Sequence, residues 1–168
     1  MAVYSIGIDL GGTKILTAVV DKQNGEIIAS VKKKTKKDKG SDKIVQKIIN
    51  SVHTVLDENN INIKDIENIG IGAAGQIDRE NGVIINAPNL DCSNIKIKDI
   101  LEKEFNKPVF LANDVEIATI GEMYFGAGVG EKDIVCIFVG TGIGSCIVQD
   151  RKLRYGATGT AGEIGHII

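Results

Sequence analysis

The feature that most constrains this chain is a unit that occurs twice: an apolar strand-like run, a glycine turn, and a second apolar run. The first copy joins Val3–Asp9 to Ile15–Val20 through Gly11-Gly12. The second joins Ile134–Val139 to Cys146–Val148 through Gly140-Thr141-Gly142-Ile143-Gly144. Two copies of strand, glycine turn and strand imply two similar lobes, each presenting a loop to a shared cleft. Because the second copy begins late and the sequence stops at Ile168, the expected division is a first lobe over residues 1–118 and the unfinished beginning of a second over 119–168.

Between the copies the pattern alternates. Asn24-Gly25 predicts a hairpin leading into Glu26–Val31, so the chain should open with three sequential antiparallel strands. Ser41 is placed to cap a helix whose apolar positions Ile44, Val45, Ile48, Ile49, Val52, Val55 and Leu56 form one wide stripe. Ile69–Ala73 reads as a short buried strand, followed by a loop-rich stretch through Asn86, Pro88 and Asn89 and a short helix over Ile97–Phe105. Pro108–Leu111 is the next strand, and Asp114 opens a helix ending near Gly126. Helices returning to strands after an opening meander indicate an α/β layer.

Composition narrows the function classes. A hydrophobic fraction of 43% can fill a core, while aromatics at 4% and no tryptophan argue against a surface that stacks bases or sugars on rings. The formal charge of −2 gives no general case for nucleic acid or membrane binding. Lys32–Lys39, with six lysines and one aspartate, reads as a solvated strand end or a local basic patch. Cys92, Cys136 and Cys146 lack metal-ligand spacing, and two of them sit in apolar runs, which fits a reducing compartment. With no leader-like pattern and no long apolar run, the expected location is cytoplasmic.

The chemistry-bearing residues cluster at strand ends. A Gly11-Gly12 turn has no Cβ atoms to block an anion, and its amides can meet phosphate oxygens. Thr13 adds a hydroxyl and Lys14 a positive charge, while Asp9 could hold Mg²⁺ through water. The second loop, with Thr141, Gly142 and Gly144, has the same character. Neither loop is of the G-x-x-x-x-G-K-[ST] type. Asn113-Asp114 follows a strand and starts a helix, so Asp114 is either an N-cap or a general base at a cleft. Glu163 and His166 stand three residues apart, as a surface pair, as ligands of a polyol, or as a His-plus-acid metal pair, the last with no further His or Cys nearby.

These pieces together resemble the ROK family of sugar kinases and sugar-responsive repressors. The resemblance rests on Asp9-Leu10-Gly11-Gly12-Thr13-Lys14, Gly70-Ile71-Gly72-Ala73-Ala74-Gly75, Ala87-Pro88-Asn89-Leu90 and Asn113-Asp114. It continues through Gly140-Thr141-Gly142-Ile143-Gly144 and Gly159-Thr160-Ala161-Gly162-Glu163-Ile164-Gly165-His166, in the family's order over nearly the whole chain. It implies a ribonuclease H-like lobe of the actin/hexokinase-like ATPase kind, with the start of a second similar lobe. It further implies an ATP-dependent kinase of a hexose or N-acylhexosamine, this chain being a front part inactive alone. Asp9, Gly11, Gly12, Thr13, Lys14, Thr141, Gly142 and Gly144 would bind the phosphates of Mg-ATP, and Asp114 would be the catalytic base. Asn89, Asn113, Asp114, Glu163 and His166 would hold the sugar. Ala74, Gln76, Ser93 and Ser145-Cys146 depart from the family pattern and leave the choice of sugar open. The family's cysteine-rich zinc motif would lie past Ile168, so no zinc site is expected here. The alternative within the family is a sugar sensor or transcriptional regulator, disfavoured because only eight residues precede Asp9. Apolar surface at Ile134, Val135, Ile137 and Val139 would favour a homo-oligomer.

Overall fold

The computed structural model describes residues 3–35, 40–140, 142–157, 159–162 and 164–166, His166 by its backbone alone. Backbone packing divides the chain into two compact units, residues 1–114 and 115–168.

The first unit opens with β1 (Tyr4–Leu10), β2 (Lys14–Asp21) and β3 (Ile27–Lys34), an antiparallel meander as the sequence predicts. Gly25 takes φ 75°, and the side chains of Asp21 and Asn24 accept from the backbone amides of Gln23 and Glu26. The hairpin is therefore present, with a loop longer than the two-residue turn that Asn-Gly alone suggests. After it comes α1 (Ser41–Glu58), then β4 (Ile66–Ala73), then β5 (Gln76–Asp78), β6 (Val83–Ala87) and β7 (Cys92–Ile95). The unit closes with α2 (Ile97–Phe105) and β8 (Val109–Asn113). β4 runs parallel to β1 and β8 parallel to β4, giving a five-stranded sheet in the order β3-β2-β1-β4-β8. This is the topology expected of a ribonuclease H-like lobe.

The alternation of side chains across the pleat decides which face is buried. Ile6, Ile8 and Leu10 of β1 are buried, and they share a core with Ile69 and Ile71 of β4 and Leu111 of β8. The stripe of α1 (Ile44, Val45, Ile48, Ile49, Val52, Val55 and Leu56) closes over it, joined by Ile97, Leu101 and Phe105 of α2. Each fully buried aliphatic side chain contributes about 1.5–3 kcal/mol, which far outweighs the small propensity cost of β-branched residues in α1. One polar pair lies inside: the Ser51 hydroxyl donates to the Ile48 carbonyl at 2.8 Å and so accepts from Thr17 Oγ1 at 2.7 Å.

Two sequence expectations change here. Ser41 does not cap α1: Gly40 occupies the cap position with no side-chain hydrogen bond, and the Ser41 hydroxyl reaches the Ser93 carbonyl at 3.5 Å instead. The stretch read as loop-rich contains the three-stranded antiparallel sheet β5-β6-β7. Strands of three to five residues show no full period, and the turn residues Asp78, Asn81 and Gly82 between them dominate the local signal.

The second unit takes up the helix α3 (Asp114–Phe125), which starts on the last residue of the first unit. β9 (Ile134–Val139), β10 (Ile143–Gln149) and β11 (Lys152–Leu153) form an antiparallel meander, in the order β11-β10-β9. A short 3-10 turn covers Ile164–His166. Cys136 and Cys146 face each other across β9 and β10, and burial pushes the Cys146 thiol above its ordinary range, as befits a small packing residue. Among the described residues no helix is long and apolar enough to cross a membrane.

Candidate active site

The first glycine turn closes β1 onto β2. The Gly11 amide donates to the Lys14 carbonyl at 3.0 Å, leaving Gly12 and Thr13 at the tip. Among the described residues, the amides of Gly12 and Thr13 donate to no backbone carbonyl, which is the condition an anion-binding turn must meet. Gly12 lies against the 3-10 turn Pro88–Leu90: a Cβ there would stand 2.9 Å from the Asn89 Cβ and 3.1 Å from its carbonyl oxygen. Glycine is thus required by close approach, and the same contact brings the exposed Asn89 beside the turn.

The strands then bring three charges together. Asp9 is paired with Gly72 of β4, and Gly72 with Ala112 of β8; one step on, Leu10, Ala73 and Asn113 stand in register. Asp114 follows at the end of β8, so the chain ends of β1 and β8 meet across β4. Partial desolvation raises the Asp9 carboxyl above its ordinary range; the Lys14 charge opposes that rise and the Asp114 carboxylate adds to it. Asp9, Lys14 and Asp114 therefore share one electrostatic site within the first unit, with Asn113 half-buried in the strand beside it.

Sequence reasoning missed Thr35, at the end of β3. Its backbone amide donates to the Thr13 carbonyl at 3.0 Å and its hydroxyl to the Gly11 carbonyl at 3.1 Å, and the residue is buried. A threonine just after a lysine-rich strand gives no signal without the strand pairing that carries it to the turn.

In the second unit, the residues of the second turn pack differently. Gly142 is exposed, and a Cβ there would meet no described residue within 4 Å, whereas Gly144 sits against Val115 at the start of α3. Thr141 and Glu163 lie outside the described residues. The Ser145 hydroxyl donates to the Gly162 carbonyl, so the serine that departs from the family pattern ties β10 to the segment ending at His166. His53, by contrast, stands apart on α1, tilted against Phe105 at 5.2 Å and 3.4 Å from Glu104.

Comparison with known proteins gives a consistent result. The profile of the ROK family matches residues 5–168. A glucokinase of Thermotoga maritima is 37% identical over 164 residues, covering 97% of this chain and 50% of that protein. A xylose repressor of Caldicellulosiruptor bescii is 33% identical over 161 residues, covering 96% of this chain and 40% of the repressor. Among solved structures, a ROK family glucokinase from Streptomyces griseus in complex with glucose and AMPPNP superposes with a TM-score of 0.84 at 39% identity, over 98% of this chain and 50% of that one. The chain spans about half the length of the curated relatives it matches. With the actin/hexokinase-like topology and the six motifs in order, these matches establish that the chain belongs to the ROK family.

Proposed function

We propose that this chain carries the first phosphate loop and the catalytic base of an ATP-dependent kinase that phosphorylates a hydroxyl of a hexose or N-acylhexosamine. The observation that carries the reading is the joining of Asp9, Lys14 and Asp114 in one electrostatic site, at the ends of strands of one sheet and beside a turn whose tip amides have no backbone partner among the described residues. The likeness to glucokinases supports it.

The chemistry follows from this arrangement. The Gly12 and Thr13 amides, the Thr13 hydroxyl and Lys14 would bind phosphate oxygens; Gly142 and Gly144, with Thr141, would do so from the second loop. Mg²⁺, when bound with ATP, would neutralise charge on the phosphates, and the exposed Asp9 carboxylate fits an ion that takes a few carboxylates and phosphate oxygens. Asp114 would accept the proton of the sugar hydroxyl as its oxygen bonds to the γ-phosphorus and the bond to the ADP oxygen breaks. Asn89, Asn113, Glu163 and His166 would orient the sugar. We assign the lobes to residues 1–118 and 119–168, and a cytoplasmic setting matches the nucleotide supply such a reaction needs.

The likeness to xylose repressors keeps a second reading in view, a sugar-binding regulator without turnover. Sugar-dependent ADP release with Mg-ATP, measured on the complete gene product over a panel of hexoses and N-acetylhexosamines, separates the two. Turnover of one sugar supports the kinase. A folded protein that binds a sugar yet releases no ADP would establish the regulator instead.

A further inference from the structure

Thr35, the uncharged member of the Lys32–Lys39 segment, is the described residue outside the first glycine turn that donates two hydrogen bonds into it. Its amide holds the Thr13 carbonyl at 3.0 Å and its Oγ1 holds the Gly11 carbonyl at 3.1 Å. The peptide unit is planar and trans, so the carbonyl of one residue and the amide of the next point in opposite directions. Fixing the Gly11 oxygen towards Thr35 therefore turns the Gly12 amide away from it. Fixing the Thr13 oxygen ties the other end of the turn to β3. A carbonyl rotated the other way would present negative charge where a phosphate oxygen must sit.

Burial strengthens the effect. Thr35 is 6% exposed, so its hydroxyl has little water to turn to, and a side chain without that donor leaves the Gly11 carbonyl unsatisfied. On the opposite flank Gly12 is pressed against Asn89. Pinned from β3 and packed on the 3-10 turn, the loop is held before any ligand arrives, which is what preorganised anion binding requires.

We propose that Thr35 is the positioning residue of the phosphate loop, setting the Gly12 amide for the polyphosphate of the nucleotide. The proposal rests on the kinase reading for the identity of its ligand, though not for the loop geometry. The test compares Thr35→Val and Thr35→Ser in the complete gene product. Both retain the backbone amide of residue 35, and only the valine loses the hydroxyl donor. Thr35→Val should raise KM for Mg-ATP by about tenfold and leave KM for the sugar within about twofold, while Thr35→Ser should stay within about twofold of wild type in both. A merely structural role would reduce the active fraction, and with it the apparent kcat, without moving the KM for ATP. An unchanged KM for ATP in the valine variant, or a serine variant as impaired as the valine, overturns the proposal.

Should the wild-type protein turn over no sugar, the kinase reading fails and the loop is tested without it. Amide hydrogen exchange at Gly11 and calorimetric binding of inorganic pyrophosphate then decide. Faster exchange and weaker pyrophosphate binding in Thr35→Val, restored in Thr35→Ser, support the positioning role. No difference between wild type and Thr35→Val defeats it.

Discussion

The two units begin alike and end differently. Each has a three-stranded antiparallel meander folded about a glycine turn, β3-β2-β1 in the first and β11-β10-β9 in the second. In the first, β4 and β8 extend the sheet past β1, and α1 and α2 bury its apolar face, so that Ile15 and Val19 are 0% exposed. In the second, β9 is an edge strand, and Val135, Ile137 and Val139 are 64%, 57% and 82% exposed. A glycine turn is thus a portable local structure, but it does not make a charged site by itself. Asp9 feels the charge of Asp114 only because β4 and β8 lie beside β1, and that long-range pairing is what the first unit adds.

If the added strands are what build the site, the largest effect should follow from the residue that β8 delivers. Asp114→Asn in the complete gene product keeps the shape of the side chain but cannot accept a proton. Turnover should fall by about 10³-fold or more while sugar affinity stays within about tenfold, as read by ADP release and calorimetry. Unchanged turnover would remove Asp114 from the chemistry and leave it a helix-start residue.

The same contrast predicts where stability resides. Ile69→Ala and Leu101→Ala delete side chains that are 0% exposed in the first unit and should each cost about 2–5 kcal/mol in urea unfolding. Val139→Ala, at 82% exposure, should change stability by less than about 0.5 kcal/mol. A large loss at Val139 would mean that β9 is covered in solution, by a second copy or by another segment, and size measurements of wild type against variant would tell which.

A smaller effect separates the two turns. An alanine Cβ at Gly12 would meet Asn89 at 2.9 Å, whereas one at Gly142 meets no described residue within 4 Å. Gly12→Ala should therefore weaken Mg-ATP binding about tenfold more than Gly142→Ala. Equal effects would show that ligand contact, and not the packing on Asn89, sets the demand for glycine.

How far the site was readable in advance follows the same division between local and long-range. The strands, the stripe of α1 and the glycine turns were legible because their periods and turn residues are local signals. Asp9, Gly11, Gly12, Lys14 and Asp114 could be singled out as strand-end polar groups, but spacing alone left Asp114 open between a cap and a base. Thr35 could not be read, since its importance lies in a pairing with residues more than twenty positions away. The cap expected of Ser41 is one residue out of place: α1 already begins at Ser41, with Gly40 at the cap position, and helix ends are not fixed to the residue by local pattern.

The smallest effect tests the electrostatic link directly. Burial raises the Asp9 carboxyl above its ordinary range, Asp114 raises it further, and Lys14 opposes both. Removing the negative neighbour in Asp114→Asn should lower the Asp9 pKa, and removing the positive one in Lys14→Met should raise it. Carboxyl chemical shifts followed through an acid titration measure both. The linked stability has a definite sign. A carboxyl whose pKa is raised on folding binds its proton more tightly in the native state, so it destabilises the fold once pH exceeds the raised value and not below the unfolded one. Asp9→Asn should accordingly raise Tm near pH 7 and leave it unchanged near about pH 3, where the unfolded carboxyl is itself mostly protonated. An Asp9 pKa that answered to Lys14 and ignored Asp114 would leave the charged site of the first unit to the turn alone, without the residue that β8 delivers.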